Sequence, residues 1–146
     1  MDPTHIMNKT QNLVIIACLA LVAVLSTYTY LAKEKQPSRW YTAAQVTQGG
    51  GLYADHCAAC HGTSAQGAVN WMQPDAAGVR GAPPLNGSGH AWHHSLKDLT
   101  HTVANGRGNM PPWRGTLSEA EIAATLAWTQ NQWPAATYKA WSEAQP

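Results

Sequence analysis

A chain of 146 residues and 15.7 kDa holds one ordinary domain at most, and only if nearly all of it is globular. With 12% charged residues against 45% hydrophobic ones it is not disordered through excess charge, and a formal net charge of +1 excludes the clustered Lys and Arg of a nucleic-acid binder. Seven Trp, five Tyr and no Phe predict a core whose indole N–H and phenol O–H groups each need a partner or a wet edge.

Between Lys9 and Lys33 no residue is charged, and 13–32 is a 20-residue apolar run. At about 1.5 Å of rise per residue it spans roughly 30 Å, the hydrocarbon thickness of a bilayer. Residues 1–32 are therefore expected to be an N-terminal tail and a single transmembrane anchor. A cleaved signal peptide is the rival reading, but its apolar core is typically about 7–15 residues long. The exit Thr27-Tyr28-Thr29-Tyr30-Leu31-Ala32 also offers no small-x-small cleavage site. Tyr28 and Tyr30 suit an interfacial aromatic belt, and Cys18 reads as a small apolar filler. Residues 33–42 follow as a polar linker broken by Pro37, reaching about 35 Å if extended and nearer 17 Å as a coil.

The head is expected over 43–132, with an aromatic tail over 133–146. A helix covers about 43–56 and runs into a pair of cysteines; 62–94, rich in Gly, Pro and Asn, reads mostly as loop. Leu96, Leu99 and Val103 fall at i, i+3 and i+7 and signal a second helix from Ser95 to Ala104, stopped at Asn105-Gly106. Ser118 and Glu121 form a capping box that opens a third, continued by Ile122, Leu126 and Trp128 and ended by Pro134. The tail residues Trp133, Tyr138 and Trp141 are expected to cover the head's own core or dock onto a partner. No strand pattern exceeds three or four residues, so the class is mainly α: one transmembrane helix and a small head of about three to five helices with long loops.

The chemistry concentrates in Cys57-Ala58-Ala59-Cys60-His61. Cys-x-x-Cys-His is the attachment signature of c-type haem. Two thiols three residues apart on one turn can add to the two vinyl groups of one porphyrin edge, and the next side chain then lies under the iron as an axial imidazole. A thioredoxin-like redox pair would need a βαβ context, and a zinc site a second pair of ligands; neither context is present. For the sixth ligand the choice falls on Met110, in the loop Asn105-Gly106-Arg107-Gly108-Asn109-Met110-Pro111-Pro112-Trp113, where glycines permit close approach and two prolines stiffen the backbone. Met72, only 11 residues beyond His61, reads as packing; His90, His93 and His94 read as solvated, and His101 as facing water or the haem edge. Sulfur ligation places the potential toward the positive end of the haem range.

Over about 45–130 these features resemble the class I c-type cytochromes, of the bacterial membrane-anchored sort. The resemblance implies that Gly49 and Tyr53 pack against the C-terminal helix at Leu126 and Trp128, and that the carbonyl of Pro83, in Ala82-Pro83-Pro84-Leu85-Asn86-Gly87, accepts from Nδ1 of His61. The expected cofactor contacts are Cys57, Cys60, His61 and Met110 with Tyr53, Arg80, Pro83, Leu85, Leu99, Val103 and Trp113; the metal ligands are His61 and Met110. Departures from the family are the Gly-rich insertion 62–81, with Trp71 and Met72, and the long tail.

With both axial positions filled, outer-sphere transfer of single electrons is the simplest chemistry, that of a carrier and not a catalyst. A peroxidase or gas-binding haem would need a displaceable Met110, with Arg107 and Asn109 as polar distal groups. A third reading is a fixed haem subunit of a larger oxidase or quinol-oxidising complex. Expected partners are redox proteins (a quinol-oxidising complex, a terminal oxidase or a reaction centre) and the membrane through 13–32, with no nucleic acid and no small-molecule substrate. In the head, Arg80, Lys97, Arg107, Arg114 and Lys139 nearly balance Asp55, Asp75, Asp98, Glu119, Glu121 and Glu143, so long-range steering is weak. Lys33, Lys35 and Arg39 against Lys9 would place the head in the cytoplasm by the positive-inside bias. Haem attachment on the outer side of the bacterial inner membrane overrides that bias, leaving the N-terminus cytoplasmic and the haem domain periplasmic.

Overall fold

The structure, a computed structural model, describes residues 8–34 and 38–145, and the chain divides into two units at Pro37/Ser38. The expected N-terminal tail up to residue 7 and the break at Pro37 lie outside the described residues.

The first unit is one helix, α1 (Lys9–Glu34). Its start is stitched by reciprocal bonds: Asn8 N–H donates to Gln11 Oε1 (3.1 Å) and Gln11 N–H to Asn8 Oδ1 (2.9 Å). The stretch Lys9–Leu31 has a mean hydropathy of 2.2, enough length to cross a bilayer, and none of its surface is buried by protein. Apolar on every face, it has the length and composition of a membrane-crossing helix. Within it the hydroxyls of Ser26, Thr27 and Thr29 donate back to carbonyls one turn earlier (2.7–2.9 Å), which satisfies them where no water is available.

The second unit is helical, and among its described residues there are isolated bridges but no strand. It contains α2 (Ala43–His56), α3 (Ala58–His61), a 3₁₀ turn (Ala91–His93), α4 (Leu96–Asn105), α5 (Glu119–Asn131) and α6 (Ala135–Glu143). Thr42 with Gln45 and Ser118 with Glu121 form full capping boxes at α2 and α5, and Ser95 caps α4. The most extensive helix contact is α2 on α5. It closes through Gly49, where a Cβ would run into the backbone of Ala124; the partner is thus Ala124 and not Leu126, which turns instead into a cluster with Leu117 and Ile122. Tyr53 does stack on Trp128, with ring centroids 4.1 Å apart.

Residues 38–42, read from the sequence as the end of a polar linker, belong to this unit. Tyr41 is buried in the same cluster as Trp133, Tyr138 and Trp141, and the Arg39 guanidinium lies 3.7 Å from the Tyr138 ring centroid. Helix α6 buries Tyr138 and Trp141, so the aromatic tail covers the head's own core. The polar handles find partners as the composition requires: Trp133 Nε1–H donates to Leu85 O (2.7 Å) and Trp141 Nε1–H to His94 O (2.8 Å).

Candidate functional site

The turn from α2 into α3 presents Cys57, Cys60 and His61 one after another. His61 is buried, 8% exposed, and its Nδ1–H donates to the carbonyl of Pro83 (2.9 Å). A carbonyl can only accept, so the tautomer is set and the Nε2 lone pair is left for a metal. The segment around Pro83 is itself held in place: Ala68 N–H donates to Ala82 O (2.9 Å) and Leu85 N–H to Ala65 O (2.8 Å). Tyr53 O–H donates to Gly62 O (2.8 Å), fixing the chain just after His61; burial first, and the neighbouring Cys57 second, push its phenol well above the usual range.

Burial pushes the Cys57 thiol up to about 11, with Cys60 adding to it. A redox pair of the thioredoxin type has the opposite shift, a lowered thiol. No cluster of three or more His, Cys, Asp or Glu suited to a metal occurs among the described residues, so the zinc reading lacks its remaining ligands.

Met110 sits half-buried in a turn that the fold clamps from both ends. Arg107 and Met110 exchange backbone hydrogen bonds (3.1 and 3.0 Å), and Trp113 and Arg114 donate to Val103 O and Ala104 O of α4 (both 3.1 Å). Gly106 permits the entry: its φ is +77°, and a Cβ there would meet Met110 O and Pro112 N.

These pieces surround one cavity of about 990 Å³, at the upper end of the range for cofactor pockets. Cys57, Cys60, His61, Met110, Tyr53, Arg80, Pro83, Leu85, Leu99, Val103 and Trp113 all line it. Further wall residues, none of them assigned to the cofactor site from the sequence, come from α5, the start of the tail and the insertion. From α5 come Thr125, Leu126, Thr129 and Gln130, followed by Trp133, an i, i+1, i+4, i+5, i+8 stripe that helical spacing alone marks as one face. The insertion contributes Val69, Asn70, Asp75 and Val79, shaped by a turn in which Asp75 Oδ1 accepts from Ala77 N–H and Val79 N–H (2.9 Å each).

Two expectations are corrected here. Met72 does not pack; it is 63% exposed and has no place among the cavity residues, to which the same loop contributes Val79 and the still more exposed Val69. His94 is not simply solvated; it is half-buried on the cavity wall, since Trp141 captures its carbonyl. His90, exposed, also lines the cavity and stacks on Trp71 (5.5 Å, 10°); desolvation, then His94, His93 and Arg107, hold its imidazolium form below the usual range. His93 and His101 are exposed, as read.

A roomy, mostly apolar cavity with two cysteines and a singly oriented imidazole at one wall and a thioether on another fits a covalently attached porphyrin. Residues 44–128 match the family described as cytochrome c oxidase, cbb3-type, subunit III. The chain belongs to this cytochrome family. Its one Cys-x-x-Cys-His motif makes it a monohaem c-type cytochrome with a membrane anchor, carrying covalently bound haem c. It is similar to the cbb3-type cytochrome c oxidase subunit CcoP of Azospirillum sp. (strain B510), at 40% identity over 61% of this chain and 29% of that protein. It is also similar to the subunit FixP of Bradyrhizobium sp. (strain ORS 278), at 33% identity over 69% and 34%. Cytochrome c6 of Tetradesmus obliquus is 35% identical over 62% of this chain and 93% of its own length. The chain thus spans about a third of the oxidase subunits it matches and nearly the whole of that cytochrome c6. No solved structure matches the chain.

Proposed function

We propose that this cytochrome is a haem subunit of a membrane-bound terminal oxidase of the cbb3 type, passing single electrons toward the oxidase without catalysing a reaction itself. What carries the reading is the 40% identity to an oxidase subunit over 92 residues, with the family match at 44–128 covering most of the cavity wall, joined to a helix able to hold the chain in the membrane. Haem c supplies a one-electron iron centre when bound.

In this reading Cys57 and Cys60 would hold the group through thioethers, and His61 Nε2 and Met110 Sδ would ligate its iron. The Pro83 carbonyl keeps His61 in one tautomer and raises its basicity. The clamped turn at 107–110 holds Met110 in place, so its Sδ would stay within reach of a bound iron and little of the protein would need to rearrange when the charge changes. Cys60 is exposed, which brings the attached edge to the surface where a redox partner can approach. Haem attachment requires the head to lie on the periplasmic side of a bacterial inner membrane, with the N-terminus cytoplasmic.

A tethered shuttle is the second reading, favoured by the match over 93% of a complete cytochrome c6. Solubilisation of the tagged chain in mild detergent separates the two. A fixed subunit co-purifies with oxidase subunits at one stoichiometry through successive columns. Recovery of the chain alone, with the oxidase still active and complete, refutes the first reading in favour of the shuttle.

A further inference from the structure

Two histidines outside the attachment motif stand side by side on the cavity wall. His90 and His94 both line it, with their rings 5.4 Å apart and crossed at 68°. Trp71, from the insertion, stacks on His90 with the planes within 10°. An aromatic face attracts a cation, so this stack accommodates the ring with or without a second proton. A metal does not account for the pair, since no cluster of three or more candidate ligands occurs among the described residues.

His94 also reaches the outside. It lines a second, smaller pocket together with Asp98 and His101, both exposed, and with Thr102 and Arg107, which line the large cavity as well. His94, Thr102 and Arg107 thus form a partition with the cofactor cavity on one side and a wet polar pocket on the other. A proton from solvent can arrive at His94 there without crossing apolar wall. The charges around the pair limit it to one proton. Desolvation first, and then His94, His93 and Arg107, hold His90 below the ordinary 6.5, and two imidazolium rings 5.4 Å apart repel. Arg80, Asp75 and His56 are the other ionisable groups on the cavity wall outside the attachment motif, and Asp98 and His101 stand on the outer side of His94.

We propose that the His90–His94 pair takes up a proton when haem c in this cavity is reduced and releases it on oxidation, coupling electron transfer to protons. This rests on haem c filling the cavity and not on which complex the chain serves. In the step, one electron from a redox partner turns ferric iron ferrous, and one proton moves from water onto an imidazole nitrogen; oxidation reverses both. Ferric haem carries one more positive charge than ferrous and so repels a proton on the wall. The cavity, of about 990 Å³, is on the order of 10 Å across. At that range, with an effective dielectric of about 20, one unit charge changes proton affinity on the order of tenfold. By linkage the protonated pair favours ferrous iron, so the midpoint potential falls as pH rises through the histidine range. A tenfold change in affinity makes the drop about 59 mV for one electron. The fall begins below pH 6.5, because burial and ferric haem both oppose the proton on His90.

The test uses the full chain, haem-loaded and in detergent, with midpoint potentials measured from about pH 4 to 8. The double variant His90→Gln/His94→Gln removes the pair; His101→Gln is the control, because its imidazole lines only the outer pocket. In wild type and in the control the potential falls with pH, and reduction in weakly buffered solution draws protons from an indicator dye. In the double variant both effects are lost. A fall of the same size in the double variant overturns the proposal, the titrating group then being a carboxyl such as a haem propionate. If the double variant fails to load haem, the His90 and His94 Cε1–H resonances of the wild type decide. A midpoint about one pH unit higher in the reduced than in the oxidised protein supports the coupling, and equal midpoints overturn it. Failure of the haem reading shows separately, as a wild-type chain without a Soret band, and takes the proposal with it.

Discussion

Replacing Gly49 by Ala inserts one methyl group into the tightest crossing in the head. The Cβ lands on the Ala124 carbonyl group and beside Thr125 N, all backbone, so no side chain can rotate away and α2 must lift from α5. Against this stands the helix preference for Ala over Gly, about 1 kcal/mol. Overpacking of this sort costs about 1–3 kcal/mol, toward the upper end where the obstacle is rigid, leaving a net loss of about 1–2 kcal/mol. For a domain of this size that lowers the melting temperature by about 5–10 °C. Gly51 is the internal control, for it lies in the same helix and a Cβ there meets nothing; Gly51→Ala should stabilise by about 0.5–1 kcal/mol. Guanidinium melts followed by tryptophan fluorescence and by the Soret band measure both. The reasoning fails if Gly49→Ala is as stable as wild type or if the two variants move in the same direction.

Three further outcomes follow from the same contacts. Met110→Ala should lose the weak long-wavelength ferric band of sulfur ligation, and its reduced form should bind CO; an unchanged spectrum would show that another residue ligates the iron. Trp141→Ala removes a buried indole and its bond to His94 O, and should cost about 3–5 kcal/mol in denaturant unfolding, which a loss below 1 kcal/mol would contradict. The Ser118 backbone N–H, and then its hydroxyl, hold the Glu121 carboxyl below its usual range, so its folded value lies under the unfolded one. That contribution is present above the ordinary 4.5 and is lost as pH falls through the lower folded value. In Glu121→Gln the corresponding part of the acid limb disappears, as denaturant midpoints collected down the pH scale should show.

Much of this protein is written in short stretches of chain because the physics there is local. The uncharged run 13–32 meets the bilayer criterion by length alone, Cys57 to His61 carry their chemistry in five consecutive residues, and Ser118 with Glu121 caps a helix from within its first turn. Residues at 38–42 misled because polar neighbours surround Trp40 and Tyr41, whose burial depends on a helix about 90 residues away. Gly49 revealed that helices cross closely, but only the packed chain shows that Ala124 is the residue it meets. Gln130 reads in sequence as one more polar position near a helix end. Its isolation as a dry, oriented donor arises when Trp40 takes its side-chain oxygen and Arg39 its backbone carbonyl. Which residues form a turn or a span follows from neighbours along the chain; which polar group is left without a partner follows only from neighbours in space, since burial and hydrogen-bond satisfaction are properties of the whole packing.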